Sequence, residues 1–386
     1  MKNPFELNSA QLESLGARWT TGEILQQPHV WRVVREGAEV SAPGLGGFID
    51  AALSDPAARV LLTGAGTSAF IGSCLAPSLA RLSGRRVEAI PTTDIVAAPA
   101  NCLQPNLPTL LVSFARSGNS PESLAALELA EQRIPNCRHL IFTCNPQGAL
   151  HQRWSQHSRA RVVLLPPETD DRGYAMTSSF TSMLLCAALA FRLPLARETT
   201  AADIPSDLLP MWIAHIMDLV AQRFERIVYL GAGELHALAR EAALKMLELT
   251  DGKVVSIAET PLGFRHGPKT VVNARTAVVV LTSNDPYTRQ YDGDLVAELR
   301  LEGQAGRVIA LYGREGRSVL HADDLIAPEL ARLTDLGLCL PYAVFAQAFA
   351  LMQSLSLSLR PDNPNATGAV SRVVRGFPIY PAGKGE

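Results

Sequence analysis

The chain has 386 residues, 47% of them apolar, and a formal net charge of −2. That length fits about two domains of the usual ~150 residues each, and the apolar share excludes a largely disordered chain. The 35 Lys and Arg are scattered rather than gathered in a stripe, which argues against a nucleic-acid partner.

The N-terminal stretch MKNPFELNSAQLE lacks the apolar core of a signal peptide. A helical segment is expected over about residues 8–55, with Thr20 or Thr21 as a cap and a break at Gly44, Gly46 and Gly47. RVLLT from Arg59 reads as a buried strand running into the turn GAGTS, Gly64 to Ser68. Helical spacing follows over 69–82, then strands RVEAI from Arg86 and TLLVSF from Thr109. The third strand runs into Arg116, Ser117, Gly118, Asn119 and Ser120, and Pro121 and Glu122 then open a helix over 121–132. A strand feeding a Ser/Gly loop into a helix N-terminus suits a phosphate, although an ordinary turn with capping serines has the same form. HLIFT from His139 and 162–165 complete five strands, and a long helix covers about 176–193. The apolar run 180–191 is too short to span a bilayer, so no membrane segment is expected.

The pattern then repeats. After a helix over 208–222, RIVYLGAGEL from Arg226 mirrors RVLLTGAGTS from Arg59, and KVVSI from Lys253 mirrors RVEAI from Arg86. AVVVLT from Ala277 mirrors TLLVSF, RVIALYGREG from Arg307 mirrors HLIFTCNPQG, and 325–327 is a fifth strand. Strands alternating with helices, five per half, predict an α/β fold: two tandem flavodoxin-like α/β/α halves, each with a five-stranded parallel sheet of order 2-1-3-4-5. The blocks expected are a helical segment 1–50, a first domain 51–205, a second domain 206–360 and an irregular tail 361–386. The second half replaces GAGTS by GAGEL and SFARSGNS by TSNDPY, so it keeps the frame without the hydroxyl loop.

Candidate chemistry is sparse. GAGTSA fits a loose dinucleotide pattern, but no acid stands where a ribose would need it, the first being Asp94. The six cysteines form no CxxC pair and read as reduced core residues of a cytosolic protein; no histidine sits at ligand spacing, so no catalytic metal is expected. Glu248 lies among Met246, Leu247 and Leu249, where a carboxylate can act as a base, although a solvated glutamate fits the same pattern. His266 sits in the loop FRHGP and could shuttle a proton or be merely exposed.

At GAGTS, the SGNS loop, ALKMLE and RHGP, the chain resembles the SIS (sugar isomerase) domain family over roughly residues 50–375, as two tandem units. It is similar to the isomerase half of glucosamine-6-phosphate synthase. SFARSGNSPES (113–123), YAMTSSFT (174–181) and PDNPNATGAVSRVV (361–374) look closer to the bacterial galactosamine-6-phosphate deaminase/isomerases. The resemblance implies that Thr67 and Ser68 lie against the sugar, and that Ser117 and Ser120, with the backbone at Arg116, Gly118 and Asn119, hold a phosphate. It implies further that Glu248 moves a proton between C1 and C2 and that His266, which in such dimers can come from the partner subunit, opens the sugar ring. Ala115 and Arg116 stand where the synthase has serine and glutamine. The synthase's imine-forming lysine has no counterpart, with Gly368 near its position and Arg372 the nearest cation. The expected activity is deaminating aldose–ketose isomerisation of galactosamine 6-phosphate, without cofactor, by a cytoplasmic homodimer. The alternatives are isomerisation without ammonia release, glucosamine-6-phosphate deamination, or a non-catalytic sugar-phosphate sensor.

Overall fold

The computed structural model describes residues 4–37, 44–197, 208–313, 321–365, 367, 368, 370, 372 and 378–381. The chain forms two compact units. One comprises Val30–Asp170, Ser178–Leu193 and Ala369–Glu386, and the other Met1–His29, Asp171–Thr177 and Pro194–Gly368. Of the tail motif SRVVRG, only Arg372 falls within the described residues.

The N-terminal helices are α1 (Ser9–Ser14), α2 (Arg18–Gly37) and α3 (Leu45–Ala52). Asn8 caps α1 reciprocally with Gln11. Thr20 and Thr21 lie inside α2 and do not cap it, contrary to the expectation from sequence. The cap comes from the far end of the chain: the Asp362 carboxylate accepts from Trp19 N–H at 3.1 Å and from Thr20 N–H at 2.8 Å.

The first sheet is built from β1 (Arg59–Thr63), α4 (Thr67–Ser83), β2 (Arg86–Ala89), α5 (Thr92–Ala97), α6 (Pro99–Cys102), β3 (Thr109–Ala115), α7 (Pro121–Arg133), β4 (Cys137–Thr143), α8 (Ala149–Trp154) and β5 (Ala160–Leu164), with α9 (Ser178–Ala190) after it. Its order is β2-β1-β3-β4-β5, all parallel. β1 and β3 are buried at every position, as central strands covered on both faces must be.

The second sheet follows from α10 (Leu208–Ala221), β6 (Arg226–Leu230), α11 (Glu234–Leu249), β7 (Val255–Glu259), α12 (Pro261–Phe264), β8 (Thr276–Leu281), α13 (Thr288–Glu302), β9 (Arg307–Tyr312) and β10 (Asp324–Ile326), and ends in α14 (Asp335–Ser356). Its order, β10-β9-β8-β6-β7, is that of the first sheet read from the opposite edge. Arg59 faces Thr109 across β1 and β3, and Arg226 faces Thr276 across β6 and β8, so the structural equivalent of Thr109 is Thr276, one residue before the Ala277 matched to it in the sequence. The second strands are offset. Arg86 faces Arg59, but Val255 rather than Lys253 faces Arg226, because the turn before β7 takes in Asp251 and Gly252 at positive φ.

α14 is the helix that the sequence pattern conceals. It is 22 residues long, apolar all round, and carries Pro341 inside. Its length and hydropathy would suit a membrane span, yet 94% of its most apolar window is buried. It packs on α10 and α11, with Trp212 and Phe345 meeting edge to face at 5.8 Å. All six cysteines are buried and free.

Candidate active site

In the first unit, β1 leads to β2 on one side while its other neighbour, β3, leads to β4. This is the switch point of the sheet, where the loops beyond the carboxyl ends open a crevice. Thr67 and Ser68, both buried, make the first turn of α4 beyond β1. Gly64 is needed there, since a Cβ would lie 2.6 Å from the Ser68 carbonyl carbon.

Beyond β3 run Arg116 to Ser120, and α7 begins at Pro121. Gly118 takes a φ of 63°, which favours glycine. The turn between β4 and α8 staples this loop from behind. Asn145 Nδ2 donates to the Ser117 carbonyl at 3.0 Å, Leu150 N–H to the Gly118 carbonyl at 3.0 Å, and Ala149 N–H to Asn119 Oδ1 at 2.9 Å. Carbonyls drawn towards that turn swing the N–H groups of Gly118 and Asn119, in the same peptide planes, the other way. Ser120 is the N-cap residue of α7 but gives its helix no side-chain cap; its Oγ lies 2.7 Å from Ser123 Oγ. The Gly118 N–H, the serine hydroxyls and the positive end of a 13-residue helix thus lie in one loop, while the Asn119 N–H donates to Ser117 Oγ at 3.3 Å. Buried Arg116 borders it and donates from Nη2 to the Arg372 carbonyl at 3.2 Å. The structure thus joins Arg116 and Arg372, but through a backbone oxygen, and the Arg372 guanidinium lies 3.7 Å from Asp170.

In the second unit, Glu241, Lys245 and Glu248 share one face of α11, at helical spacings of four and three. The Lys245 ammonium pairs with Glu248 and lies 3.4 Å from Glu241 Oε1. Burial alone would favour the neutral amine, but the two carboxylates outweigh it and hold the Lys245 pKa up. Glu248 keeps 26% of its side chain exposed, while Lys245 and Glu241 are sealed behind it. An open carboxylate backed by a buried ion pair can take and return a proton from a fixed position. Glu248 was identifiable from the sequence. Glu241 and Lys245, the latter three residues before Glu248, are visible in REAALKMLE, but the sequence alone gives them no role.

His266 is exposed, and its backbone N–H donates to the Gly263 carbonyl at 2.9 Å. Its loop is tied to α13: Arg265 Nε meets Glu298 at 2.7 Å, and Lys269 bridges Glu298 and Glu302. Phe264 packs with Val228, Val278 and Leu295 on one face of the sheet, the face covered by α12 and α13. α11 lies on the other face, against α14. The topology requires this. The step from β6 to β7 and the step back from β7 to β8 run in opposite directions, and right-handed crossovers put their connections on opposite faces. Within its own chain, therefore, His266 is not brought to Glu248.

The equivalent loop of the second unit is arranged differently. At the carboxyl end of β8, the donors are already taken by carboxylates of the same unit. Asp335 accepts from Asn284 N–H at 2.8 Å and from Ser283 Oγ at 2.5 Å, and Asp292 accepts from Ser283 N–H at 2.8 Å. Burial pushes Asp292 up to about 7, with Asp335 adding to the rise and the Ser283 N–H opposing it.

Known proteins match these features. The SIS domain family matches residues 53–193. The D-galactosamine-6-phosphate deaminase AgaS of Escherichia coli is 45% identical over 368 residues, covering 94% of this chain and 96% of that protein. The protein of the same name from Shewanella sp. (strain ANA-3) is 44% identical over 389 residues, covering 98% of each. The crystal structure of tagatose-6-phosphate ketose/aldose isomerase from Escherichia coli superposes with a TM-score of 0.83 at 43% identity, over 94% of this chain and 97% of that one. The glucosamine-6-phosphate deaminase of Thermotoga maritima, at 21% identity and a TM-score of 0.65, shares the fold. With its duplicated doubly wound sheets and its extended identity to these relatives, the chain belongs to the SIS family, in the AgaS group.

Proposed function

We propose that this protein is a deaminating aldose–ketose isomerase that converts galactosamine 6-phosphate into tagatose 6-phosphate and ammonia. The observation that carries the reading is the pairing, in one chain, of an open anion cradle at Arg116–Ser120 with the buried Glu241–Lys245–Glu248 array. The names of the AgaS relatives support the same substrate. Ser117 and Ser120, with the loop N–H groups, take the 6-phosphate, and Thr67 and Ser68 lie along the sugar. Phosphate anchoring supplies binding energy remote from the reacting carbons. His266 opens the ring. Glu248 takes the C2 proton and delivers it to C1, and water then displaces ammonia at C2. Arg116 and Arg372 add positive charge without forming an imine.

Because His266 and Glu248 occupy opposite faces of one sheet, the histidine serving each site comes from a second copy in a homodimer. The proposed blocks 51–205 and 206–360 follow the two sheets, while by packing Asp171–Thr177 and the chain from Pro194 group with the second sheet's unit. Six buried free cysteines suit a reducing, cytoplasmic setting.

The test is an ammonia assay with galactosamine 6-phosphate, glucosamine 6-phosphate and unphosphorylated galactosamine. Ammonia is expected from the first substrate at the highest kcat/KM, with little from the third. Ketose phosphate formed without ammonia would replace the reading by plain isomerisation. Preference for glucosamine 6-phosphate would move the specificity to the other epimer.

A further inference from the structure

A cavity of about 520 Å³ opens between α5, α6, α7 and the tail residues Pro378–Pro381, all within the first sheet's unit. Its walls are mostly apolar, with Val96 from α5, Leu129 from α7, and Pro378 and Tyr380 from the tail. That size, with few polar groups in an apolar lining, suits a small molecule.

Two charged residues of α7 stand in the wall, Glu122 in the first turn and Arg133 in the last. They are eleven residues apart, about 16 Å along the axis, so Arg133 marks the far end of the cavity from Glu122. Glu122 is only 4% exposed, and among the described residues its Oε2 has no hydrogen-bond partner. An acid in a first turn complements the helix dipole, but that role needs no burial. A carboxylate oxygen buried without a donor is costly, and a charged donor offsets the cost best.

Glu122 also stands beside the anion loop. Ser120, the N-cap residue of α7, precedes it by two residues. A phosphate on that loop and the Glu122 carboxylate are like charges at one helix end, and they repel. A cation paired with Glu122 cancels the repulsion, and by linkage the phosphate favours the cation by the same factor.

We propose that this cavity is a second binding site, which takes a small primary amine as its ammonium ion. The ammonium pairs with Glu122, and the apolar body of the amine lies against Leu129 and Tyr380. Occupancy tightens phosphate binding at Arg116–Ser120. The amine site is independent of the proposed reaction, and only the coupling rests on the anion-loop reading given above.

The experiment is calorimetric titration of the full-length protein with phenethylamine at about pH 7.5, where an amine is protonated. The uncharged control is 2-phenylethanol, which should bind at least about tenfold more weakly. Glu122→Gln keeps the size and removes the charge, and should weaken the amine by the same factor. Ala100→Trp fills the cavity from an exposed position in its wall and should also abolish tight binding. Wild type that does not bind the amine, or binds it no better than either variant, would overturn the site. Saturating inorganic phosphate should tighten the amine about fivefold or more. Phosphate that binds without changing the amine's affinity would overturn the coupling. Wild type that binds no phosphate would remove the anion-loop reading and the coupling with it, while the amine site stands or falls on the first titration.

Discussion

Glu248 and His266 stand on opposite faces of the same five-stranded sheet, with the β6–β7 strand pair between them. An imidazole cannot reach through a hydrogen-bonded sheet. For the proposed ring-opening histidine and proton-transferring glutamate, this placement favours one site built from two chains.

Complementation tests this. Glu248→Gln and His266→Gln are each expected to be inactive. Subunits of the two variants, unfolded together and refolded, give mixed dimers in which one site has both wild-type groups. Random pairing restores roughly a quarter of wild-type activity. If the mixture stays as inactive as its parents, His266 does not act across subunits.

The anion cradle yields a binding prediction. Ser120→Ala removes one hydroxyl from a charged acceptor, a loss of about 1.5–3 kcal/mol. KM for galactosamine 6-phosphate should rise about tenfold or more while kcat changes little. Gly118→Ala acts differently, forcing a side chain into the left-handed region at about 1–2 kcal/mol, with its Cβ 3.3 Å from Thr143 Oγ1. A lowered melting temperature, together with a raised KM, should report it.

Lys245→Met tests the buried array. It leaves Glu241 without its counter-ion in a sealed position, and breaking a buried pair from one side costs about 3–5 kcal/mol. Urea unfolding should show a loss of that order, together with loss of turnover. Full stability in the variant would mean that the array is not sealed.

Stability should also depend on pH in an unusual direction. Glu23 and Asp292 are each pushed up to about 7, against an ordinary carboxylate value near 4. Between about pH 4 and 7 the folded protein keeps protons that the unfolded chain releases. Their contribution is therefore present at low pH and lost as pH rises through about 7. His139, buried and pushed down to about 4, works the other way once the pH falls below about 6.5. Thermal melts at pH 6.5 should lie above those at pH 8. A Glu23→Gln, Asp292→Asn double variant should narrow the gap. A gap that the double variant leaves unchanged would contradict the titration of these two groups.

The frame was legible because its signals are local. β1, β3, β6 and β8 are short apolar runs ending in glycine or small-residue turns, and the helices between them keep a period near 3.6. α14 was not legible, since a helix buried on all sides shows no period and Pro341 interrupts it. The cap that Asp362 gives α2 and the strap that Glu23 gives Arg172 and Gly173 join segments far apart in the chain, which no local pattern reports. The Arg116–Ser120 loop and Glu248 stood out as candidates because each sits on a recognisable element end. Lys245, visible three residues before Glu248, carried no role in the sequence because it reads as one more polar residue on an amphipathic helix.

The central claim is that Glu248 drives both products of the reaction. It is tested most directly by following ammonia and tagatose 6-phosphate in one time course, for wild type and for Glu248→Gln. Wild type should form the two in equal amounts. The variant should lose both together, by about a hundredfold to ten-thousandfold in kcat, with KM little changed. A Glu248→Gln protein that still forms either product at the wild-type rate would contradict the account.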